Sequence, residues 1–251
     1  MNSTLSRILS LILSLLCLSS CRASPPEVPV KETECVSWLT PTEDMGEEYL
    51  DSFLFFGEST TYHMKDREVL RDGRNTEQIL APDSGTVNLD HTTLSLPLRD
   101  PETGEYVTVE EAIRRRKPKR LMLTFGLNGA VQKVRRGAEY YKTCYRALID
   151  CVRRVSPDTA IILQSAFPVA KNMNMQRYSV SVEELNRAID QINVWTHELA
   201  DEYGIGYLNT AEILKDAEGY LKIEYQVGDG HHLTRDAYLE ILYYIRTHGY
   251  K

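Results

Sequence analysis

The clearest pattern along the chain is a set of short, unbroken apolar runs separated by segments of helical period. Five runs read as strands: Phe53 to Phe56, a weaker one near Ile79-Leu80, Leu121 to Phe125, Ala160 to Leu163, and Gly206 to Leu208. Continuous apolar runs of this length fit strands buried within a parallel sheet. Between them, Tyr141, Cys144, Tyr145, Leu148 and Val152 recur at helical spacing, as do Leu185, Ile189, Ile192 and Leu199. Thr108 to Glu111 and Ser181 to Glu184 each have the form of a capping box. The first predicts a helix ending near Arg116, ahead of Pro118; the second opens a helix that Gly204 can close. A last helix is predicted from about Arg235 to His248. Alternation of strands and helices through right-handed crossovers gives the α/β class, a three-layer α/β/α sandwich of flavodoxin-like kind around a mainly parallel five-stranded sheet.

Two stretches fall outside this rhythm. Leu70 to Val107 is the least regular and carries turn residues in "APDSGTVNL" and "DPETGEY", with room for a β-hairpin around Asp100 to Gly104. Phe167 to Ser181 follows a strand, where open α/β sheets bind their ligands, and is expected to help form a groove through Asn172, Asn174, Gln176 and Tyr178.

The N-terminus has one cation at Arg7, an apolar core from Ile8 to Leu18 and small residues before Cys21, too short a core for a permanent membrane span and the form of an export signal. Its end, "LSSC", resembles the bacterial lipobox, which implies that Cys21 carries the lipid; the alternative is an ordinary cleavable signal. The polar, Pro-rich segment that follows has a tether's composition. The expected division is a signal over 1–21, a tether over 22–48 and one globular domain over 49–251, anchored outside the cytoplasm to the cell membrane. A net charge of −7 argues against a nucleic-acid partner. The basic run Arg114 to Arg120 closes a helix, where cations favour the dipole's negative end, and leads into a strand, so a structural role is expected for it. Cys35, Cys144 and Cys151 form no even framework. Cys144 and Cys151, roughly 10 Å apart along one helix, are too distant to bridge and read as buried thiols, whereas pairing of Cys35 stays open.

The chemistry begins at "FLFFGESTTYHM", where a buried strand stops at Gly57 and presents Ser59. A serine there can merely cap the next helix. It can also stand on the rigid rim that a parallel sheet offers at its strand ends, beside helix N–H groups that favour negative charge. Two further stretches favour the second reading: "TFGLNG" presents Asn128 at another strand end, and "GDGHHLT" sets Asp229, His231 and His232 before the last helix. Asp229 and His232 are three apart, so a turn brings them together, while an extended segment would point His231 the other way.

Gly57-Glu58-Ser59, Gly126-Leu127-Asn128 and Asp229-Gly-His-His232, in this order, resemble the SGNH hydrolases, or GDSL-type esterases and lipases, over the chain from about Tyr49 onward. The resemblance implies Ser59 as nucleophile, His232 as base, Asp229 as its orienting partner, and an oxyanion hole from the Ser59 N–H, the Asn128 amide and a loop glycine, for which Gly85 is a better candidate than Gly73. Glu58 stands where the family has Asp, and Gly129 where an Asp commonly follows the asparagine.

The expected function is a surface serine esterase working without metal or other cofactor, on a carbohydrate ester with acetyl preferred. An O-acyltransferase of the same fold and a non-catalytic binding lipoprotein are the alternatives. His63 reads as a surface or supporting histidine, and His91 and His197 lack partner motifs; His231 with Asp229 and His232 has no further ligand motif to make a metal site. Tyr62, Tyr178 and Met173 are open between lining a groove and filling a cover. The oligomeric state is not fixed by the sequence.

Overall fold

The computed structural model describes residues 37–250 apart from 177. The signal segment with Cys21, most of the expected tether and Cys35 lie outside the described residues. The folded unit starts earlier than Tyr49. Ser37 C=O accepts from Tyr207 N–H at 2.6 Å, Leu39 N–H donates to Tyr207 C=O at 2.9 Å, and Arg246 pairs with Asp44 and Glu47. An edge strand with free backbone groups recruits this segment, which composition alone reads as tether.

In chain order the elements are α1 Glu47–Asp51, β1 Phe53–Gly57, α2 Ser59–Asp66, β2 Ile79–Leu80, β3 Pro97–Arg99, β4 Tyr106–Thr108 and α3 Val109–Arg116. There follow β5 Arg120–Thr124, α4 Ala130–Arg136, α5 Ala138–Val155, β6 Ala160–Gln164, α6 Val182–Tyr203, β7 Gly206–Leu208, α7 Ala211–Leu214 and α8 Arg235–Thr247. Five strands form one parallel sheet in the order β2-β1-β5-β6-β7. Strands β3 and β4 pair antiparallel as the expected hairpin, its turn organised by the Asp100 carboxylate, which accepts from the Glu102 and Thr103 N–H groups.

Successive side chains of β1 enter different cores, as the two-residue strand period requires. Leu54 and Phe56 pack with Ile113 of α3, Tyr141 and Tyr145 of α5 and Ile189 of α6. Phe53 and Phe55 pack with Leu50 of α1, Met64 of α2, Leu214 of α7 and Ile241 of α8. This is the three-layer sandwich. Local signals set its helix ends: Thr108 and Ser181 accept from the Glu111 and Glu184 N–H groups at 3.2 Å each, and Gly204 closes α6 in the left-handed region. Carboxylates pair with much of the basic run: Arg114 with Glu110 and Glu111, and Arg115 with Glu111 at 2.9 Å and Asp100 at 3.1 Å. Cys144 and Cys151 are buried free thiols. No helix among the described residues is long and apolar enough to cross a membrane.

The start of the segment 167–181 is buried, where a rim loop was expected from the sequence. Phe167, Val169, Ala170 and Met173 are buried, and two α6 asparagines hold its start. Asn193 pairs with both backbone groups of Ala166, at 2.7 and 3.0 Å, and Asn186 with both of Val169, at 2.9 and 3.0 Å. These bonds let irregular backbone lie buried without orphaned polar groups.

Candidate active site

The register of β1 with β5 builds the site. Gly57 lies opposite Thr124, so the chains leaving both strands emerge side by side. A Cβ at Gly57 would stand 2.3 Å from Thr61 Oγ1 and 2.4 Å from Thr124 C=O; glycine is needed for close approach rather than for an unusual turn. Ser59 then occupies the first position of α2, where a helix leaves N–H groups without intrahelical acceptors.

From the other side of the sequence, Asp229 and His232 reach the same point. Ser59 Oγ lies 3.1 Å from His232 Nε2, and His232 Nδ1 lies 2.6 Å from Asp229 Oδ2. The second Asp229 oxygen accepts from the His231 and His232 N–H groups at 3.0 and 2.9 Å. Burial pushes the Asp229 carboxyl up, but these N–H donors and the His232 ring outweigh it and bring it down to about 2. Gly230, at φ +88°, makes this tight turn, and a Cβ there would meet the Met173 backbone at 2.6 Å. The buried start of the 167–181 segment is thus the floor under the histidine loop, and Ala170 N–H donates to Gly230 C=O at 2.7 Å.

In this turn the His231 ring packs against His232 with centroids 4.0 Å apart. His63, one helical turn after Ser59, stacks on His232 at 4.2 Å with the planes 2° apart. Burial, then the neighbouring His232, lower the His63 imidazole below its ordinary value, and burial likewise lowers His231. Asp229, His231 and His232 bring possible ligand atoms within 4.8 Å of one another. Both His232 nitrogens already face Ser59 and Asp229, which leaves too few of them for a metal's usual set.

Asn128 and Gly85 line one cleft of about 550 Å³ with Ser59, Tyr62, His63 and His232. The Asn128 amide donates to Thr86 Oγ1 at 3.1 Å and Val87 C=O at 3.3 Å. The Gly85 N–H meets the expectation less well: it donates to Pro82 C=O at 2.9 Å, closing a turn, and is committed there. The Tyr62 ring lies against Gly85, about 3.0 Å from where a Cβ would stand. The ring therefore forms part of the cleft wall, whereas Met173 is core and Tyr178 is exposed. No described residue of 167–181 lines this cleft.

Two buried charges stand behind Asn128. Glu58 is 2% exposed, and its carboxylate accepts from the Gly126, Leu127 and Asn128 N–H groups, each at 3.0 Å. The longer side chain thus braces the strand-end loop directly. Lys133, 7% exposed on α4, donates to the Asn128 C=O. Burial pushes the Glu58 carboxyl up and the Lys133 ammonium down, and each charge opposes the other's shift. The sequence reading passed over Lys133 and gave His63 no specific contact; the spacing of Ser59 and His63 on one helix face was the only available hint for the latter.

A serine, imidazole and carboxylate in series can draw a proton from the hydroxyl, and a helix N–H with an amide nearby can receive negative charge. The sequence profile of the GDSL-like Lipase/Acylhydrolase family matches residues 55–239. No curated protein matches the chain in sequence. Among solved structures, a candidate platelet activating factor of Streptococcus pneumonia is similar at 21% identity and TM-score 0.52, over 78% of this chain and 82% of that one. An extracellular lipase of Streptomyces rimosus is similar at 12% identity and TM-score 0.49, over 76% and 97%. A DUF4886 family protein of Bacteroides uniformis is similar at 14% identity and TM-score 0.48, over 79% and 83%. With most of its length matched by one profile and a parallel sheet presenting Ser59 to His232 at its rim, the chain belongs to the GDSL-like lipase/acylhydrolase family.

Proposed function

We propose that the protein is a serine esterase that works through an acyl-Ser59 intermediate and removes short acyl groups, acetyl above all, from carbohydrate esters at the cell surface. The observation that carries the chemistry is the unbroken series Ser59 Oγ, His232 imidazole, Asp229 carboxylate, at 3.1 and 2.6 Å. In the first half-reaction Ser59 Oγ bonds to the ester carbonyl carbon as His232 Nε2 takes its proton. The imidazolium returns that proton to the leaving alkoxide as the ester C–O bond breaks. In the second, water attacks the acyl-serine, His232 takes the water proton, and Ser59 regains its own as the acid leaves. Asp229 fixes the ring's tautomer and stabilises the cation. The Ser59 N–H and the Asn128 amide are the oxyanion donors, the latter after giving up one of its two present acceptors.

The small acyl group is supported by the cleft lining, in which no side chain among the described residues is aliphatic, so a long chain would find little apolar surface. The sugar is supported by Ser84, Thr86 and Asn88 beside the Tyr62 ring, because hydroxyls need hydrogen-bond partners while a sugar's apolar face can lie on an aromatic. Surface location rests on the N-terminal pattern ending at Cys21.

Chromogenic esters of two to twelve carbons, followed by acetate release from acetylated xylan and peptidoglycan, test the reading on the full chain in detergent. Turnover is expected to be highest at two carbons, and a preference for eight or more would favour a lipase. Ser59→Ala and His232→Ala are each expected to lose on the order of 10⁶-fold in kcat. A fully active Ser59→Ala protein would refute the mechanism.

A further inference from the structure

Lys133 is a buried cation that the proposed reaction does not use. No ion pair among the described residues includes it, and its hydrogen bond there goes to the Asn128 carbonyl oxygen. An ammonium taken out of water beside one carbonyl carries a large desolvation cost, and a methionine would fill the same space without it. The segment it touches explains the charge. Residues 126 to 128 leave β5 as irregular backbone whose three N–H groups all point at one carboxylate, that of Glu58. Both oxygens of that carboxylate accept, one from Gly126 and the other from Leu127 and Asn128. Glu58 therefore fixes Asn128 by its N–H, and Lys133 fixes it by its C=O, from opposite ends of the same residue.

We propose that Lys133 is a positioning residue for the oxyanion-binding amide, clamping the Asn128 backbone against Glu58 so that only the side-chain torsions remain to be set. The assignment rests on the esterase reading for its catalytic consequence. A donor displaced by a fraction of an ångström stabilises a developing oxyanion poorly, and a backbone held at both its polar groups excludes such displacement.

The test uses the full chain in detergent and the variants Lys133→Met, Asn128→Ala and their combination. Lys133→Met is expected to lower kcat on 4-nitrophenyl acetate by roughly 10- to 100-fold with KM within about twofold, and to slow fluorophosphonate labelling of Ser59 in proportion. Because Lys133 acts through Asn128, the same change in an Asn128→Ala background should cost less than about threefold. Hydrogen exchange should accelerate in peptides covering residues 126–128 and not in the core strands. Full kcat in Lys133→Met, an equal loss with and without Asn128, or unchanged exchange would each overturn the assignment. If Lys133→Met does not fold, Lys133→Ala, which likewise cannot donate to the carbonyl, replaces it, with a loss in kcat and a faster 126–128 exchange again expected. A wild-type protein inert toward every ester would sink the esterase reading, and the exchange measurement would still decide the clamp.

Discussion

Asp229 satisfies two backbone N–H groups with one oxygen and orients the His232 ring with the other. Its folded value of about 2 lies below the ordinary 3.8, so the carboxylate's contribution to stability is present above about pH 4 and is lost as pH falls toward 2. The difference in melting temperature between wild type and Asp229→Asn should therefore be constant from pH 7 to about 5 and shrink below 4; a difference that stays flat to pH 2 would contradict the low value. Asp229→Asn should also lower kcat on the order of 10⁴-fold through the wrong imidazole tautomer. The flat His63 face on His232 leads to a separate expectation. His63→Ala should reduce kcat by roughly two- to tenfold, the kinetic equivalent of one aromatic contact, while His63→Phe keeps the stack and most of the rate. Equal losses in both variants would show that the imidazole itself, and not its face, is needed.

At the level of elements, the histidine loop is only as well placed as the segment beneath it. Asn186 and Asn193 hold the start of that segment, and Met173 fills the space left by the missing Cβ of Gly230. Asn186→Leu strands two buried backbone groups of Val169 and should destabilise by about 2 to 5 kcal/mol in a denaturant titration. Gly230→Ala combines a left-handed backbone with a clash against Met173, and should lower kcat by more than about tenfold even where the protein stays folded. An active, normally stable Gly230→Ala protein would show that the loop can adapt. Both ends of α2 are tied in as well: Tyr238 Oη donates to Thr60 C=O at 2.5 Å, and Arg67 Nε donates to Leu233 C=O at 3.2 Å. These contacts join the serine helix to α8 and to the residue after His232.

For the whole molecule, the central question is where this rim of residues works. If Cys21 is lipidated, Cys21→Ser expressed in a bacterial host should lose membrane retention or persist as an uncleaved precursor, as read by detergent partition and the size of the mature chain. Equal partition of both proteins with cleavage elsewhere would dismiss the anchor. Ser37 is already paired with Tyr207, so the folded unit begins before the Tyr49 boundary that composition suggests.

The sequence by itself determined what depends on near neighbours along the chain. Apolar run length gave the strands, and β1 to β7 include all five; side-chain chemistry three residues apart gave the caps at Thr108 and Ser181; turn residues gave the hairpin at Asp100. The pairing of Asp229 with His232 was legible for the same reason, because a single turn joins them. Only the tertiary structure decided what depends on register between distant strands. Glu58 meets the loop of residues 126 to 128 because Gly57 pairs with Thr124, and nothing local to either segment states that pairing. Lys133, on the helix after that loop, acquires its role from the same convergence. The polar look of Asn172, Asn174 and Gln176 suggested a rim, yet buried amides from α6 draw the segment's start into the core, because paired backbone can be buried whatever its exposed neighbours look like. Gly85 shows the same division: its place in the cleft followed from its loop, but the direction of its N–H was set by the turn that Pro82 closes.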